Sequence, residues 1–326
     1  MNKILILSND NDNSTTKVIR WLNYIDNSID VVRLHTSDLA NAHIYQGNIS
    51  YPIQIGNPFN FKTNEINVVW TRKFSPLNVS DIIIDKYISD NDQQNIIQNL
   101  KNEWNIFLDY FYFKIEQSNS YWLNKPCYST PNKLQQLFIA NKIGFNTPIS
   151  ILSTYRNDIE IFENLITKPL SNCIPVLINN FSYLSYTSRV FKEQLESEYF
   201  ISLFQEEIQK ELELRVFYID GKCYSIAIMS QNKEQTELDY RQYDYEKMNR
   251  NEFYKLPINI EQLVIKFMKE MNLQTGSLDL ILDKKGKYIF LEVNPSGQYD
   301  IFNCCNVYPD KLIAEHLIEK YYEYKG

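Results

Sequence analysis

The spacing of apolar and polar residues predicts a small domain of alternating strands and helices at the start of the chain. Residues 3–7 form a short apolar run, and apolar residues then recur at helical spacing from Val18 to Ile25, with Ser14 as the predicted N-cap. Residues 30–35 read as a second strand, and the segments NISYPIQI and INVVWTRKF predict further strands. Because a strand, a helix and a strand in this order are typical of a parallel sheet, we expect parallel strands here.

Two longer helices are predicted around the end of this first domain. One runs from Asp92 to Gln117 with a single apolar stripe and closes the domain. The next has Thr130 as its N-cap, Pro131 at its first position and Gly144 at its end. These start and stop signals place a domain boundary between the two helices.

The rest of the chain predicts hairpins followed by helices. The Asp220-Gly221 pair favours a tight turn between the segments LELRVFYI and KCYSIAI. A helix at 258–271, a second hairpin in SLDLILDKKGKYIFLEVN and a terminal helix from Pro309 follow. We therefore expect an α/β chain with α+β parts and three domains, at residues 1–122, 123–203 and 204–326.

Charge and cysteine content narrow the classes of function. A net charge of -7 and a pI of about 5.2 argue against a protein that binds nucleic acid by neutralising phosphates. Five cysteines without CxxC spacing and three scattered histidines argue against a disulfide framework and a zinc site. Neither a membrane span nor a secretion signal is recognisable, so we expect a cytoplasmic protein without a membrane partner.

The second hairpin carries a group of oxygen-bearing side chains. A turn at DKKG with a loop of two or four residues would pair Asp279 with Phe290, and Ser277 with Glu292. Asp279, Phe290, Glu292 and Asn294 would then share one face, with Asp279 and Glu292 as diagonal neighbours, whereas a three-residue loop would separate them. Such a set suits Mg²⁺, which takes one or two protein carboxylates and adds water and phosphate oxygens. The alternative is a hairpin whose outer face is simply polar.

Side-chain cations would have to hold any phosphate, because the chain contains neither a GxxxxGK nor a GxGxxG loop. Lys133, in the first turn of its helix, and Lys168, at the end of the strand LITK, are candidates, and each has a surface lysine as its alternative. Glu213 and Arg215 share one face of a strand, where Glu213 can accept hydrogen bonds from ribose and Arg215 can bind phosphate. The alternative for this pair is a cross-strand ion pair.

These residues, in this order and at these spacings, resemble the ATP-grasp superfamily. The resemblance rests on Lys133, Lys168, the segments QEEI and ELR, Asp279 and the segment LEVNP. More narrowly, PNKLQQLFIA, ITKPL, FQEEIQKELELRV, LDYRQYD and FLEVNPSGQY resemble the graspetide or microviridin-type macrocyclising ligases, nearest to the grasp-with-spasm branch. The resemblance implies an ATP-grasp fold with an N-terminal pre-ATP-grasp domain, a small central domain and a C-terminal domain that binds ATP and Mg²⁺.

The family pattern implies a role for each residue that matches it. The implied ATP contacts are Lys133 and Lys168 for the phosphates, Glu206, Glu207 and the backbone near Ile208 for adenine, and Glu213 for ribose. The implied ligands of two Mg²⁺ ions are Asp279, Asn294 and a bridging Glu292. The implied catalytic residues are Arg215 and Arg241, and the implied substrate contacts are Arg72, Asp239 and Gln298. The segments WTRK and DYR depart from the usual family motifs but keep their charged residues. These departures therefore affect the expected substrate preference more than the expected activity.

The resemblance also implies a reaction and a partner. An Asp or Glu side chain of a ribosomally made precursor peptide, with leader and core, would be converted by ATP into an acyl phosphate. A Thr or Ser hydroxyl, or a Lys amine, of the same peptide would then close an ester or amide macrocycle, in an enzyme that the family suggests is a homodimer. A lid that excludes water is predicted at residues 170–188. The alternatives are a ligase of free amino acids or of glutamate onto protein tails, and a nucleotide-binding regulator without turnover.

Overall fold

The computed structural model describes residues 2–9, 11–45, 53–56, 59–74, 89–126, 131–170, 176–178, 181–183, 187–229, 250–297 and 299–324. Its strands are β1 (Lys3–Ser8), β2 (Asp30–Leu34), β3 (Ile44–Tyr45), β4 (Gln54–Ile55), β5 (Phe61–Lys62), β6 (Ile66–Arg72), β7 (Tyr121–Leu123), β8 (Ser150–Tyr155), β9 (Leu165–Lys168), β10 (Val176–Ile178), β11 (Phe181–Tyr183), β12 (Ser188–Arg189), β13 (Glu198–Glu206), β14 (Lys210–Ile219), β15 (Lys222–Met229), β16 (Arg250–Phe253), β17 (Thr275–Asp283) and β18 (Tyr288–Asn294). Its α-helices are α1 (Asn13–Ile25), α2 (Thr36–Asn41), α3 (Asp90–Glu116), α4 (Lys133–Ile143), α5 (Ile258–Glu270) and α6 (Pro309–Glu323). None of the helices in these residues is long and apolar enough to cross a membrane.

The chain forms two compact units. The first contains Met1–Ser129 together with Asp310–Gly326, and the second contains Thr130–Pro309. The first unit is therefore built from two stretches that lie far apart in the sequence. The predicted division into three domains, with boundaries at residues 122 and 203, stays a prediction.

A parallel sheet with the strand order β2-β1-β6-β7 lies at the centre of the first unit. Leu5, Leu7 and Val69 of this sheet belong to the same buried apolar cluster as Phe111 and Ile115 of α3. Because α3 buries its apolar stripe against the sheet, the long helix predicted from the 3.6-residue spacing is observed almost where expected. The predicted parallel α/β arrangement of this part of the chain is confirmed.

The start of α1 differs from the prediction. Asp12, rather than Ser14, is the N-cap, because its Oδ2 accepts hydrogen bonds from the Thr15 N–H at 3.0 Å and the Thr15 hydroxyl at 2.7 Å. The same carboxylate accepts a hydrogen bond from Arg72 Nε at 2.8 Å. Burial alone raises the pKa of Asp12, but Arg72 and the bonds from Thr15 outweigh it and hold the pKa below its usual value.

The second unit contains two antiparallel sheets and the short hairpin of β10 and β11. The larger sheet has the order β16-β15-β14-β17-β18, and the smaller one has the order β12-β9-β13-β8. Phe267 of α5 packs on Phe290 of β18 with ring centroids 4.6 Å apart, which fixes the helix to the larger sheet. The predicted turn at Asp220-Gly221 is confirmed, since both residues have positive φ values (41° and 82°) and join β14 to β15.

The helix that carries Lys133 begins later than predicted. Its N-cap is Asn132, whose side-chain oxygen accepts the Leu134 N–H at 2.9 Å, so Pro131 precedes the helix instead of occupying its first position. Thr130, the predicted N-cap, lies outside the described residues. Lys133 is the first residue of α4, and the helix ends before Gly144 as predicted.

The register of the hairpin of β17 and β18 differs from the prediction. Asp279 pairs with Glu292, not with Phe290, and Ser277 pairs with Asn294, not with Glu292. Phe290 was predicted on the same face as the acidic residues, but it is fully buried against α5. The two carboxylates are therefore direct cross-strand neighbours instead of diagonal ones.

Two irregularities explain this register. The turn has a loop of three residues, 284–286, because the Asp283 N–H donates to the Lys287 carbonyl oxygen. The prediction of a two-residue or four-residue loop was therefore wrong. A three-residue loop alone would set Leu291 opposite Asp279 and turn Glu292 to the other face. Leu291, however, is left out of the ladder as a β-bulge, and the extra residue returns Glu292 to the face of Asp279.

Candidate functional site

A row of charged side chains crosses three neighbouring strands of the larger sheet. Arg215 on β14 lies opposite Asp279 on β17, and Asp279 lies opposite Glu292 on β18. The Arg215 Nε is 3.7 Å from the Asp279 Oδ1, with about a tenth of the arginine side chain exposed. Because cross-strand neighbours have Cβ atoms only about 5 Å apart, the strand pairing itself holds the three groups together.

The row continues at the end of the hairpin. Asn294 pairs with Ser277 two residues beyond the Asp279–Glu292 pair, so its exposed side chain extends the same face. The Asn294 side-chain oxygen also accepts a hydrogen bond from the Ser296 N–H at 3.1 Å, within the turn that contains Pro295 and Ser296. Gly297 packs over Ser277, where an added Cβ would lie 3.0 Å from the Ser277 Cβ.

The N-terminus of α4 brings a lysine to the same carboxylate. The Lys133 Nζ lies 3.9 Å from the Glu292 Oε2 and donates a hydrogen bond to the Pro169 carbonyl oxygen at 3.0 Å. Pro169 directly follows Lys168, which ends β9 in the smaller sheet. The structure therefore brings Lys133, the end of the strand that carries Lys168, and Glu292 close together.

Glu213 lies two residues before Arg215 on β14 and points to the same face. Its Oε1 accepts a hydrogen bond from Lys210 Nζ at 2.6 Å, and each of the two side chains is only 9% exposed. Glu213 is thus paired with a lysine of its own strand, whereas Arg215 forms a cross-strand ion pair with Asp279, which was the alternative for these two residues.

The connection between the two sheets carries the predicted adenine contacts. The Glu206 Oε1 accepts the Ile149 N–H at 2.9 Å, and the Glu206 N–H donates to the Ile149 carbonyl oxygen at 3.0 Å. Glu207 accepts two hydrogen bonds from Arg189 Nε and one from its Nη2, between 2.7 and 3.0 Å. Ile208 is half-buried between β13 and β14. Both glutamates are thus held by other parts of the smaller sheet.

Four predicted residues are not part of this arrangement as the structure describes it. Arg241, Asp239 and Gln298 lie outside the described residues, as does most of the predicted lid at 170–188. Arg72 lies in the first unit, where it is buried against Asp12.

Two residues near the site were missed by the sequence analysis. Lys210 gave no signal beyond being a lysine in a strand. Gln136 is 2% exposed and hydrogen-bonds to β18. The pattern of the helix could have revealed this residue. It shares the buried stripe of α4 with Ala140 and Ile143, and a polar side chain in such a stripe needs a specific partner.

The donor set fits Mg²⁺ better than it fits a metal held by protein alone. Within the ranges that the structure describes, no three His, Cys, Asp or Glu side chains converge on one point. Asp279 and Glu292 instead supply two adjacent carboxylates, Asn294 adds an amide oxygen, and the buried Ser277 Oγ makes no hydrogen bond to any described residue. Mg²⁺ typically combines one or two carboxylates with water and substrate phosphates, which matches this set.

Comparison with known proteins identifies the family of the second unit. Residues 130–317 match the model of the RimK-like ATP-grasp domain. No curated protein sequence is similar enough to match the chain. The family match covers more than half of the chain and includes every residue of the charged row.

Solved structures resemble the chain over nearly its whole length. A RiPP-associated ATP-grasp ligase of Chryseobacterium gregarium, solved in complex with ADP and a leader and core peptide, has a TM-score of 0.82 and 22% identity, with 98% of this chain and 97% of that chain covered. The macrocyclase MdnC of Microcystis aeruginosa MRC, bound to the precursor peptide MdnA, has a TM-score of 0.77 and 23% identity, with coverage of 97% and 99%. The ATP-grasp ligase PsnB, complexed with a phosphomimetic variant of a minimal precursor, Mg and ADP, has a TM-score of 0.73 and 17% identity, with coverage of 98% and 99%.

The match to the family model confirms the predicted ATP-grasp family, and the likeness to the solved structures confirms the predicted fold class. The similarity extends through the first unit as well as the second, which confirms that the resemblance to ATP-grasp peptide ligases runs end to end at the level of the fold.

Proposed function

Because the chain belongs to the RimK-like ATP-grasp family, we propose that it is an ATP-dependent, ADP-forming ligase that closes macrocycles in a ribosomally made precursor peptide. An Asp or Glu carboxylate of the peptide attacks the γ-phosphate of ATP and gives an acyl phosphate and ADP. A Thr or Ser hydroxyl, or a Lys amine, of the same peptide then displaces phosphate and closes an ester or amide ring. Each ring removes one water from the peptide.

The observation that carries this proposal is the row of Arg215, Asp279 and Glu292 with Lys133 beside it. Phosphoryl transfer places negative charge on phosphate oxygens, so its catalysis comes mostly from positioned cations. Asp279, Glu292 and Asn294 would hold two Mg²⁺ ions, which would neutralise phosphate charge. Arg215 would bind the transferred phosphoryl group through its guanidinium fork.

The remaining roles follow the family pattern. Lys133 and Lys168 would bind ATP phosphates, Glu206, Glu207 and the backbone near Ile208 would hold adenine, and Glu213 would hold ribose. Arg241 would assist Arg215, and Arg72, Asp239 and Gln298 would contact the peptide.

The peptide substrate is supported by the ligands of the three solved structures described above. They were obtained with a leader and core peptide, with the precursor peptide MdnA and with a variant of a minimal precursor, and the first two match this chain at 22% and 23% identity. A ligase of free amino acids would use the same ATP residues, so the acceptor must be tested directly.

The test is to incubate the protein with ATP, Mg²⁺ and the product of each small open reading frame beside its gene. We expect the peptide to lose the mass of one water for each ring, with one ADP released per ring. Glu292→Ala is the matched control and should form no ring. ADP release that depends on free amino acids and not on peptide would overturn the proposal, and ATP binding without any turnover would favour a regulator.

A further inference from the structure

The strand that carries Glu292 is the edge strand of the larger sheet, since β18 pairs only with β17 among the described strands. Its outer edge is instead bonded by α4 and the loop that follows this helix. The Phe290 N–H donates to the Asn146 carbonyl oxygen at 2.8 Å, and Asn146 Nδ2 donates to the Tyr288 carbonyl oxygen at 3.1 Å. Further along, the Val293 N–H donates to Gln136 Oε1 at 2.7 Å.

The spacing of these bonds depends on the β-bulge. In a regular strand, outward N–H groups recur at every second residue, so Phe290 would be followed by residue 292. Here the outward groups belong to Phe290 and Val293, because Leu291 is left out of the ladder. Gln136 therefore meets an N–H of β18 at this place only when the bulge is present.

Gln136 is itself held firmly. It is 2% exposed, and its Nε2 donates to the Pro131 carbonyl oxygen at 2.9 Å while its Oε1 accepts from Val293. It lies one helical turn after Lys133, whose Nζ is 3.9 Å from the Glu292 Oε2. One side chain thus ties the start of α4 to the residue next to Glu292.

We propose that Gln136 is a positioning residue for the Mg²⁺–ATP site. By accepting the Val293 N–H it holds the bulged register, which sets Glu292 opposite Asp279 and beside Lys133. The slipped register would put Leu291 opposite Asp279 and turn Glu292 away from the row. The inference rests on the proposed function, because it assumes that this row binds metal and nucleotide.

The test compares two variants that each remove one side-chain bond to the same edge strand. Gln136→Met keeps the length and helix preference of the side chain but removes its acceptor. Asn146→Ala removes the donor to Tyr288, two residues before Phe290 and away from the row. ATP binding to the full chain is measured by calorimetry over a range of Mg²⁺ concentrations and again with the metal chelated.

We expect Gln136→Met to weaken Mg²⁺-dependent ATP binding about tenfold or more, as the loss of groups that orient metal ligands typically does. ATP binding with the metal chelated should be equal in Gln136→Met and the parent, and Asn146→Ala should bind Mg²⁺–ATP like the parent. Equal affinities in all three proteins, or an equal loss in both variants, would overturn the inference. A parent that binds no Mg²⁺–ATP would instead overturn the proposed function.

A double-mutant cycle guards against a loss of affinity that reflects general destabilisation. If Gln136 acts through Glu292, Gln136→Met should cost little further affinity in a chain that already carries Glu292→Gln. Additive losses would show that Gln136 acts on the fold and not on the site. Thermal unfolding of each protein establishes that it is folded at the temperature of the binding measurement. If Gln136→Met does not fold, Gln136→Leu takes its place with the same expected tenfold loss of Mg²⁺-dependent affinity, and an affinity equal to that of the parent would contradict the inference.

Discussion

Asp279 and Glu292 lie directly opposite each other on adjacent antiparallel strands, with the bulged Leu291 next to Glu292. Their carboxylates would repel each other if no cation lay near. Arg215 on one side of the row and Lys133 on the other supply that positive charge in the protein itself. A metal ion that binds both carboxylates would add to this compensation and leave the two cations available to phosphate oxygens.

Replacing Glu292 by Gln should lower Mg²⁺-dependent ADP formation on the order of 100-fold, because the change removes one of the two adjacent carboxylates while keeping the size of the side chain. Rates at increasing Mg²⁺ concentration measure the effect, and excess metal should restore part of it. Glu270→Gln, on the exposed end of α5, is the matched control and should form ADP at the same rate as the parent. Unchanged metal dependence in Glu292→Gln would contradict the metal assignment.

Replacing Arg215 by Lys should separate nucleotide binding from turnover. The charge next to Asp279 remains, so ATP affinity should change only a few-fold, but the planar fork that can bind two phosphate oxygens is lost. Peptide-dependent ADP release should therefore fall on the order of 100-fold. Single-turnover measurements test this directly, and a variant with weak ATP binding but normal turnover of the bound nucleotide would assign Arg215 to binding alone.

Replacing Lys210 by Met should destabilise the second unit, because it leaves the buried Glu213 carboxylate without its cation. Breaking a buried pair in this way typically lowers the free energy of unfolding by about 3 kcal/mol, and removing both partners restores much of the loss. The double variant Lys210→Met/Glu213→Leu should thus be more stable in urea than Lys210→Met.

The same pair tests the proposed ribose contact. If Glu213 accepts hydrogen bonds from ribose, the stable double variant should still bind ATP more weakly than the parent. An ATP affinity equal to that of the parent would show that Glu213 and Lys210 form a structural pair only.

The pKa of Asp12 gives a pH dependence in the first unit. Because this pKa is lowered below its usual value of 3.8 in the folded chain, the ionised group stabilises the fold above that pH and the benefit is lost as the pH falls through the folded pKa. Asp12→Asn keeps an N-cap acceptor but leaves Arg72 buried without its anion, so it should lower the free energy of unfolding by about 3 kcal/mol at neutral pH. Urea unfolding of both proteins should show this difference at pH 7 and a smaller one below pH 3.8. A difference that stays constant with pH would contradict the role of the charge.

The elements with strong local signals could be predicted from the sequence, and the geometry of the site only in part. The spacing of apolar residues in α3 and the Asp220-Gly221 turn are local properties, and both are observed as predicted. The bulge at Leu291 is not a local property, because it is matched to Gln136, which precedes Val293 by 157 residues. Glu292 and Asn294 could thus be picked out from the segment LEVNP, whereas their register opposite Asp279 depended on contacts that pattern and spacing do not contain.

The return of α6 to the first unit has a consequence for synthesis on the ribosome. The Tyr324 carbonyl oxygen accepts a hydrogen bond from Asn67 Nδ2 at 2.5 Å, and His316 Nε2 lies 2.8 Å from the Tyr121 hydroxyl, so β6 and β7 contact residues that are synthesised after the second unit. The second unit ends at Pro309 and has all of its residues before α6 emerges. A nascent chain can therefore complete the second unit before the first, the reverse of the usual order in which domains fold during translation.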